Sequence, residues 1–163
     1  MWFVGLRKKT KIADLVPGKV SLIKGTIQST TRELTLPPSG TNCVYYSMMQ
    51  EKYGKGARGS GRALWFPEKM ERKCVQFSVS DDSGEVVIQA TGEQLDVSGG
   101  HQEAGAVKGK GKRRYFASFM IVGDHVVIRG LVESVKGDNG VVLTATEKKN
   151  LNVAVVRRAP LKK

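Results

Sequence analysis

Residues 75–88 read Val-Gln-Phe-Ser-Val-Ser-Asp-Asp-Ser-Gly-Glu-Val-Val-Ile, and no other stretch constrains the fold as tightly. Val75, Phe77 and Val79 alternate with Gln76, Ser78 and Ser80. That period of two belongs to a strand with one apolar and one polar face. Asp81-Asp82-Ser83-Gly84 follows. Asp and Ser favour turn entry, and Gly84 has access to a positive φ at little steric cost. Val86-Val87-Ile88 then resumes as a second strand, so the stretch predicts a β-hairpin against which other strands pack.

The rest of the chain supplies those strands. Residues 11–17 form a lead-in closed by the turn Pro17-Gly18. Residues 18–28 predict a first long strand. Val20 and Leu22 share one parity while Ile23, Gly25 and Ile27 share the other, which implies a bulge or bend near Gly25. Residues 30–42 are turn-rich, and the β-branched and aromatic run 43–49 predicts a second strand. Residues 50–73 read as a long connection whose first half is a flexible cationic tip. Gly54, Gly56 and Gly59 match G-x-G-x-x-G there, but no helix opens after the third glycine, so a dinucleotide site is rejected.

Residues 90–123 are the least legible part. A short helix is possible on pattern over 102–107, the tract 108–114 reads as a solvated basic loop, and 115–122 as a core strand. Residues 125–135 predict another long strand. Its Ile128-Arg129-Gly130-Leu131-Val132 echoes Ile23-Lys24-Gly25-Thr26-Ile27, which predicts the same bend twice. Residues 136–140 make an Asn-Gly hairpin turn and 141–146 the return strand. Residues 151–156 add a strand or a turn of helix, and 157–163 a basic tail.

With 163 residues, 19 glycines and only 5 prolines, the chain suits one globular β-rich domain over 11–156 after a lead-in over 1–10. The net charge of +12 favours anionic partners: nucleic acid, a lipid surface or an acidic protein. Cys43 and Cys74 form no CxxC pair, and with only two histidines no metal site or cofactor is expected. If each cysteine opens one strand of a hairpin, the two lie at opposite ends of it, and both read as small buried hydrophobes. No apolar run approaches the roughly 20 residues that span a bilayer. The apolar start over residues 1–6, followed by Arg7-Lys8-Lys9, is either a shallow interfacial anchor or a packed segment. As written, the chain reads as soluble or peripheral at a membrane.

A bent first strand, hairpins, a variable link and a last hairpin give the order of an all-β, OB-like small barrel, closed or partly open, of about five to six strands with long basic loops. The residues 36–46, Leu-Pro-Pro-Ser-Gly-Thr-Asn-Cys-Val-Tyr-Tyr, resemble the "L-x-P-x-S-G-x-x-C-x-Y-Y" segment of GIDE-type domains. Phe77 to Gly84 is similar to that family's "F-x-x-x-D-x-x-G", and Val122 to Gly130 to its "G-D-x-V-x-V-x-G". Those domains occur in membrane-anchored mitochondrial ubiquitin ligases and in uncharacterised prokaryotic membrane proteins. The resemblance covers residues 11–154 and implies an OB-like interaction domain beside a membrane. Two cysteines cannot build a RING module, so ligase activity does not carry over; a place in a ubiquitin-ligase-like system follows by analogy alone.

No catalytic constellation is expected. Asp81 and Asp82 are adjacent on a turn and point apart, which suits turn chemistry rather than acid–base work. His125 reads as a barrel-end histidine, and Ser39 and Ser60 have no visible base. Two binding readings remain. One is a membrane-proximal interaction module that meets anionic lipid or an acidic partner. The other is a single-stranded nucleic-acid binder, which needs cationic rails and aromatic platforms. Lys52, Tyr53, Lys55, Arg58, Arg62, Lys108, Lys110, Lys112, Arg113 and Arg114 are the candidate anion-binding residues. Tyr53, Trp65, Phe66 and Tyr115 are the candidate stacking residues, with core packing as the competing role for the last three. Nucleic acid gains if the loops 52–62 and 108–114 share one side of the molecule with an exposed aromatic between them.

Overall fold

The computed structural model describes residues 8–55, 63–109, 111–135 and 140–161. The apolar start, the glycine-rich tip 56–62 with Arg58 and Arg62, Lys110, the turn residues 136–139 and the last two lysines lie outside the described residues. Among those described, the strands in chain order are β1 (Val20–Thr30), β2 (Leu34–Thr35), β3 (Asn42–Cys43), β4 (Tyr45–Lys55), β5 (Ala63–Cys74), β6 (Phe77–Ser80) and β7 (Glu85–Gln89). They continue as β8 (Leu95–Ser98), β9 (His101–Val107), β10 (Arg113–Met120), β11 (His125–Ser134), β12 (Val141–Thr144) and β13 (Leu151–Arg157). Two single 3-10 turns, Ile12–Asp14 and Gly92–Gln94, complete the described secondary structure.

Five strands close into a barrel in the order β1-β6-β7-β12-β11 and back to β1. All of those pairings are antiparallel except β7 with β12. Closure leaves no free edge within this ring. Its interior holds Ile23, Ile27, Phe77, Val79, Ile128 and Leu143, all 1% exposed or less. β13 pairs with β11 and carries β8 beyond it, so the barrel wall extends on one side.

The two bends expected from sequence are where strands change neighbours. β1 pairs with β11 over Val20 to Thr26 and with β6 from Thr26 onward, so it pivots at Gly25. β11 pairs with β13 over His125 to Arg129 and with β12 from Leu131, so it pivots at Gly130. A Cβ at Gly25 would sit 2.5 Å from the Ser80 carbonyl oxygen and 2.7 Å from a Val79 methyl. Backbone cannot yield there cheaply. Gly25→Ala is therefore expected to cost about 2 kcal/mol by overpacking, read as a lowered urea midpoint with an unchanged m-value. An unaltered midpoint would show that the pivot tolerates a side chain.

Hairpin β6–β7 stands where the alternation placed it, but its turn works differently. Gly84 is not in the left-handed region. Asp81 holds the turn instead: its carboxylate accepts from Ser83 N (2.8 Å), Ser83 Oγ (2.6 Å) and Gly84 N (3.0 Å). The other oxygen accepts from Ile12 N at 2.9 Å, which ties the lead-in to the barrel. Burial opposes the charge, yet these donors win and hold the Asp81 carboxyl below its ordinary range. Ser78 is also buried, so the polar face of β6 is covered at Ser78 and partly open only at Ser80.

The largest departure from expectation lies between the barrel strands. The segment from β1 to β6 and the segment from β7 to β11 each contribute strands to a second sheet, ordered β5-β4-β10-β9 and fully antiparallel. Thus 63–74 is a strand and not part of a loop, and 101–107 is a strand and not a helix. β9 lacks strong strand formers, but seven consecutive pairings with β10 override that weak local preference. The ribbon β2–β3 covers one face of this sheet, and Leu36, Cys43, Tyr46, Met48, Tyr115 and Phe119 form a second core there.

Tyr45 and Tyr46 have opposite parity, so a strand over a single core would bury one of them. Both are buried, because β4 lies between two cores: Tyr45 joins the barrel core and Tyr46 the second one. The cysteines are also arranged differently. Cys74 closes β5 opposite Tyr45, so it lies at the same end of the hairpin as Cys43. The two thiols are nevertheless free, Cys43 in the second core and Cys74 packed against the first. Burial pushes both up to about 12, which keeps them protonated and unreactive.

Candidate functional site

Alternation in the second sheet sorts its side chains onto two faces. The face turned from the ribbon carries Ser47, Met49, Glu51 and Tyr53 from β4, aligned with Ser118, Phe116 and Arg114 of β10. On β5 the same face carries Trp65 opposite Tyr53 and Met70 opposite Met49. Small residues of β9, Ala104 and Ala106, flank Phe116 and Arg114 and leave them uncovered. Phe116 is 42% exposed and Met70 65%.

At the outer end of this face the cations and rings interlock. The Arg114 guanidinium lies 4.2 Å from the Trp65 ring centroid and 5.2 Å from that of Phe116. Lys112 Nζ lies 4.9 Å from the Tyr53 centroid, and the Tyr53 and Trp65 rings are 5.2 Å apart at 59°. Such contacts hold long side chains in place and keep their charge at the surface. Glu51 accepts from Arg114 Nε at 2.7 Å, which orients the guanidinium plane, and among the described residues its Nη groups meet no acceptor. Towards the barrel the face deepens into a groove bounded by Arg72, Ser118, Asp96 and Asn152.

The two basic segments do come together. Tyr53 N donates to the Lys112 carbonyl at 2.9 Å, and Arg113 is paired with Lys52. The described residues 52–55 and 111–114 therefore share one end of the second sheet, where Tyr53 is 38% exposed. The predicted residues do not all share one face. Tyr53, Trp65, Lys112 and Arg114 are on the open face. Lys52, Phe66 and Arg113 are on the opposite one, and Lys108 is exposed at the end of β9. Lys55 ends β4. Of its two candidate roles Tyr115 takes core packing: at 5% exposure it belongs to the second core and is not open for stacking on a ligand.

Arg113 and Arg114 also belong to a strand and not to a loop, and Arg113 is already committed. Pro67, which lacks an N–H, is tolerated on edge strand β5, and the register slips beside it between Gln50 and Glu51. The extra residue, Glu68, meets Arg113 through both its oxygens at 2.9 to 3.2 Å. Arg113 first, then Gln50, holds the Glu68 carboxyl down to about 2. A depressed folded value means that this pair's contribution is complete above the ordinary glutamate value of about 4.3 and is lost as pH falls towards that lower value. The Glu68 carboxyl carbon resonance should accordingly titrate near its depressed value, and Arg113→Gln should return it towards the ordinary range. A parent protein that titrates normally would count against the pair.

Sequence reasoning missed Met49, Met70, Phe116 and Arg72. The signal was present, since Arg114 and Phe116 share parity and Tyr115 does not, but it could be used only with 63–74 recognised as a strand. Among the described residues, no group of three or more His, Cys, Asp or Glu side chains is placed to hold a metal ion. No helix among them is long and apolar enough to cross a membrane. No protein-family model, curated protein or solved structure matches the chain.

Proposed function

We propose that the chain is a non-enzymatic, OB-type binding module that takes single-stranded nucleic acid on the open face of its second sheet. The strand order 1-2-3-5-4-1 of the barrel, with one parallel pairing, supports the OB assignment. The observation that carries the functional reading is the ladder Tyr53, Trp65, Arg114 and Phe116, with Lys112 beside it, where both basic segments meet. Unpaired bases stack on rings and guanidinium planes with little sequence preference, while cations track the phosphates. The net charge of +12 adds a long-range attraction.

A second reading draws on the edge strand β5, where Leu64 is 52% and Phe66 37% exposed beside the basic segments. Such a tip suits insertion into an anionic lipid surface, the setting that the GIDE-type resemblance implies. One experiment separates the two. Gel shifts with an oligothymidylate at several salt concentrations are set beside flotation on phosphatidylserine vesicles. Salt-sensitive oligonucleotide binding without flotation supports the first reading. Flotation without oligonucleotide binding replaces it with the second.

A further inference from the structure

Away from the second sheet, a cleft opens on the barrel wall where β1 pivots between its two neighbours. Gly25, Thr26, Lys24 and His125 line it, and Lys9 and Lys11 of the lead-in stand over it. Its volume is about 360 Å³, against the roughly 30 Å³ that one water occupies in the liquid. The acids on its rim are Asp81 and Asp82. Asp81 is spent on the turn and on Ile12, as described above. Among the described residues, none of Lys9, Lys11, Lys24 and Arg157 forms an ion pair with a carboxylate.

The arrangement of Arg157 is the telling one. Its Nη2 lies 2.7 Å from His125 Nε2, and His125 Nδ1 lies 3.3 Å from Thr26 Oγ1. A guanidinium has donors only, so Nε2 must accept and the ring proton sits on Nδ1, facing the threonine hydroxyl. Arg157 thus leans on a neutral imidazole, without the carboxylate or phosphate oxygen that matches its planar fork. Lys9, Lys11 and Lys24 line the cleft itself, and Arg157 stands at its edge, behind His125 and outside that lining.

We propose that this cleft binds a phosphate group. Arg157 supplies the fork, Lys24 and the Lys9–Lys11 arm supply point charges, and the Thr26 hydroxyl a further hydrogen bond. The phosphate belongs either to a nucleic-acid backbone or to a free phosphate compound, since both present the same oxygens.

The test is an amide and imidazole resonance titration of the full chain with inorganic phosphate, then with an oligothymidylate lacking terminal phosphates, with sodium chloride at matched ionic strength as control. Saturable shifts at Lys24, Thr26 and His125 are expected with phosphate and not with chloride. Arg157→Gln and Lys24→Gln should each weaken that binding about tenfold, because each removes a charged hydrogen-bond donor. Both side chains are exposed, so the folded spectrum should persist. Matching shifts from the oligonucleotide, in competition with phosphate, assign the site to a nucleic-acid backbone; shifts with phosphate alone assign it to a free phosphate compound. Shifts equal to those with chloride, or unchanged in Arg157→Gln, overturn the proposal. Trp65→Ala with Phe116→Ala should leave the phosphate shifts intact, so failure of this site and failure of the sheet-face reading are distinguishable.

Discussion

Replacing Asp124 with alanine is expected to cost about 3–5 kcal/mol of folding stability, because it leaves several donors without their acceptor at about 1–3 kcal/mol each. Asp124 has no solvent-exposed surface. One oxygen accepts from His101 Nε2 at 2.8 Å and from Ala159 N at 2.8 Å, and the other from Ile121 N at 2.9 Å. Its own carbonyl accepts from Ile27 N at 2.9 Å. One residue therefore ties the start of β9, the turn before β11, the end of the chain and the barrel strand β1. Alanine would leave the His101 and Ala159 donors without an acceptor in a dry place. His101 also stacks on Phe119, with ring centroids 5.2 Å apart at 16°, so its ring cannot swing out to water without uncovering the second core. Urea unfolding of the parent and of Asp124→Ala measures the loss. Asp124→Asn, which keeps one acceptor oxygen, should fall between them. A loss below about 1 kcal/mol would mean that solvent replaces these bonds.

The second large effect concerns binding. Trp65→Ala combined with Phe116→Ala should weaken oligothymidylate binding by about a hundredfold, or about 3 kcal/mol. Each ring offers a stacking platform, and both lie against the same guanidinium. Because they share Arg114, the double variant should lose less than the sum of the single losses. Phe116 is exposed and Trp65 sits on an edge strand, so the folded state should change little. Gel shifts compare the double variant with the parent, and fluorescence titration of Trp65 in a Trp2→Phe background reports binding by chains that keep that ring: stacking should quench it, and added salt should reverse the quench. A double variant that binds as well as the parent would remove the sheet face from the proposal. Arg114→Lys is the informative companion, because it keeps the charge and loses the plane that both rings contact.

Much of the barrel was legible because its evidence is local. The alternation over 75–80, the β-branched run 86–88 and the parity change around Gly25 each describe a strand from its own residues. The echo at Gly130 marked a second pivot for the same reason: a side chain there would crowd the Leu151 methyl and the Thr144 carbonyl oxygen where the strand exchanges neighbours. The site was half legible. The basic segments and Tyr53, Trp65 and Arg114 were named, but for Tyr115 stacking and core packing were both left open, and Phe116 was passed over. Those two are neighbours, and which of them faces solvent depends on what covers each face of β10.

The amino-acid order by itself determined that the chain is a β protein with two sharply bent strands, a large positive charge and basic segments carrying aromatic residues. Those properties follow from side-chain period, glycine and composition, all of which act within a few residues. Only the tertiary structure decided that two distant insertions pair into one sheet and that a ribbon covers one of its faces. It also decided that Arg113 is spent on a carboxylate while Arg114 lies among exposed rings. Pairing between strands far apart in sequence depends on the register available at contact, and no local pattern encodes that register.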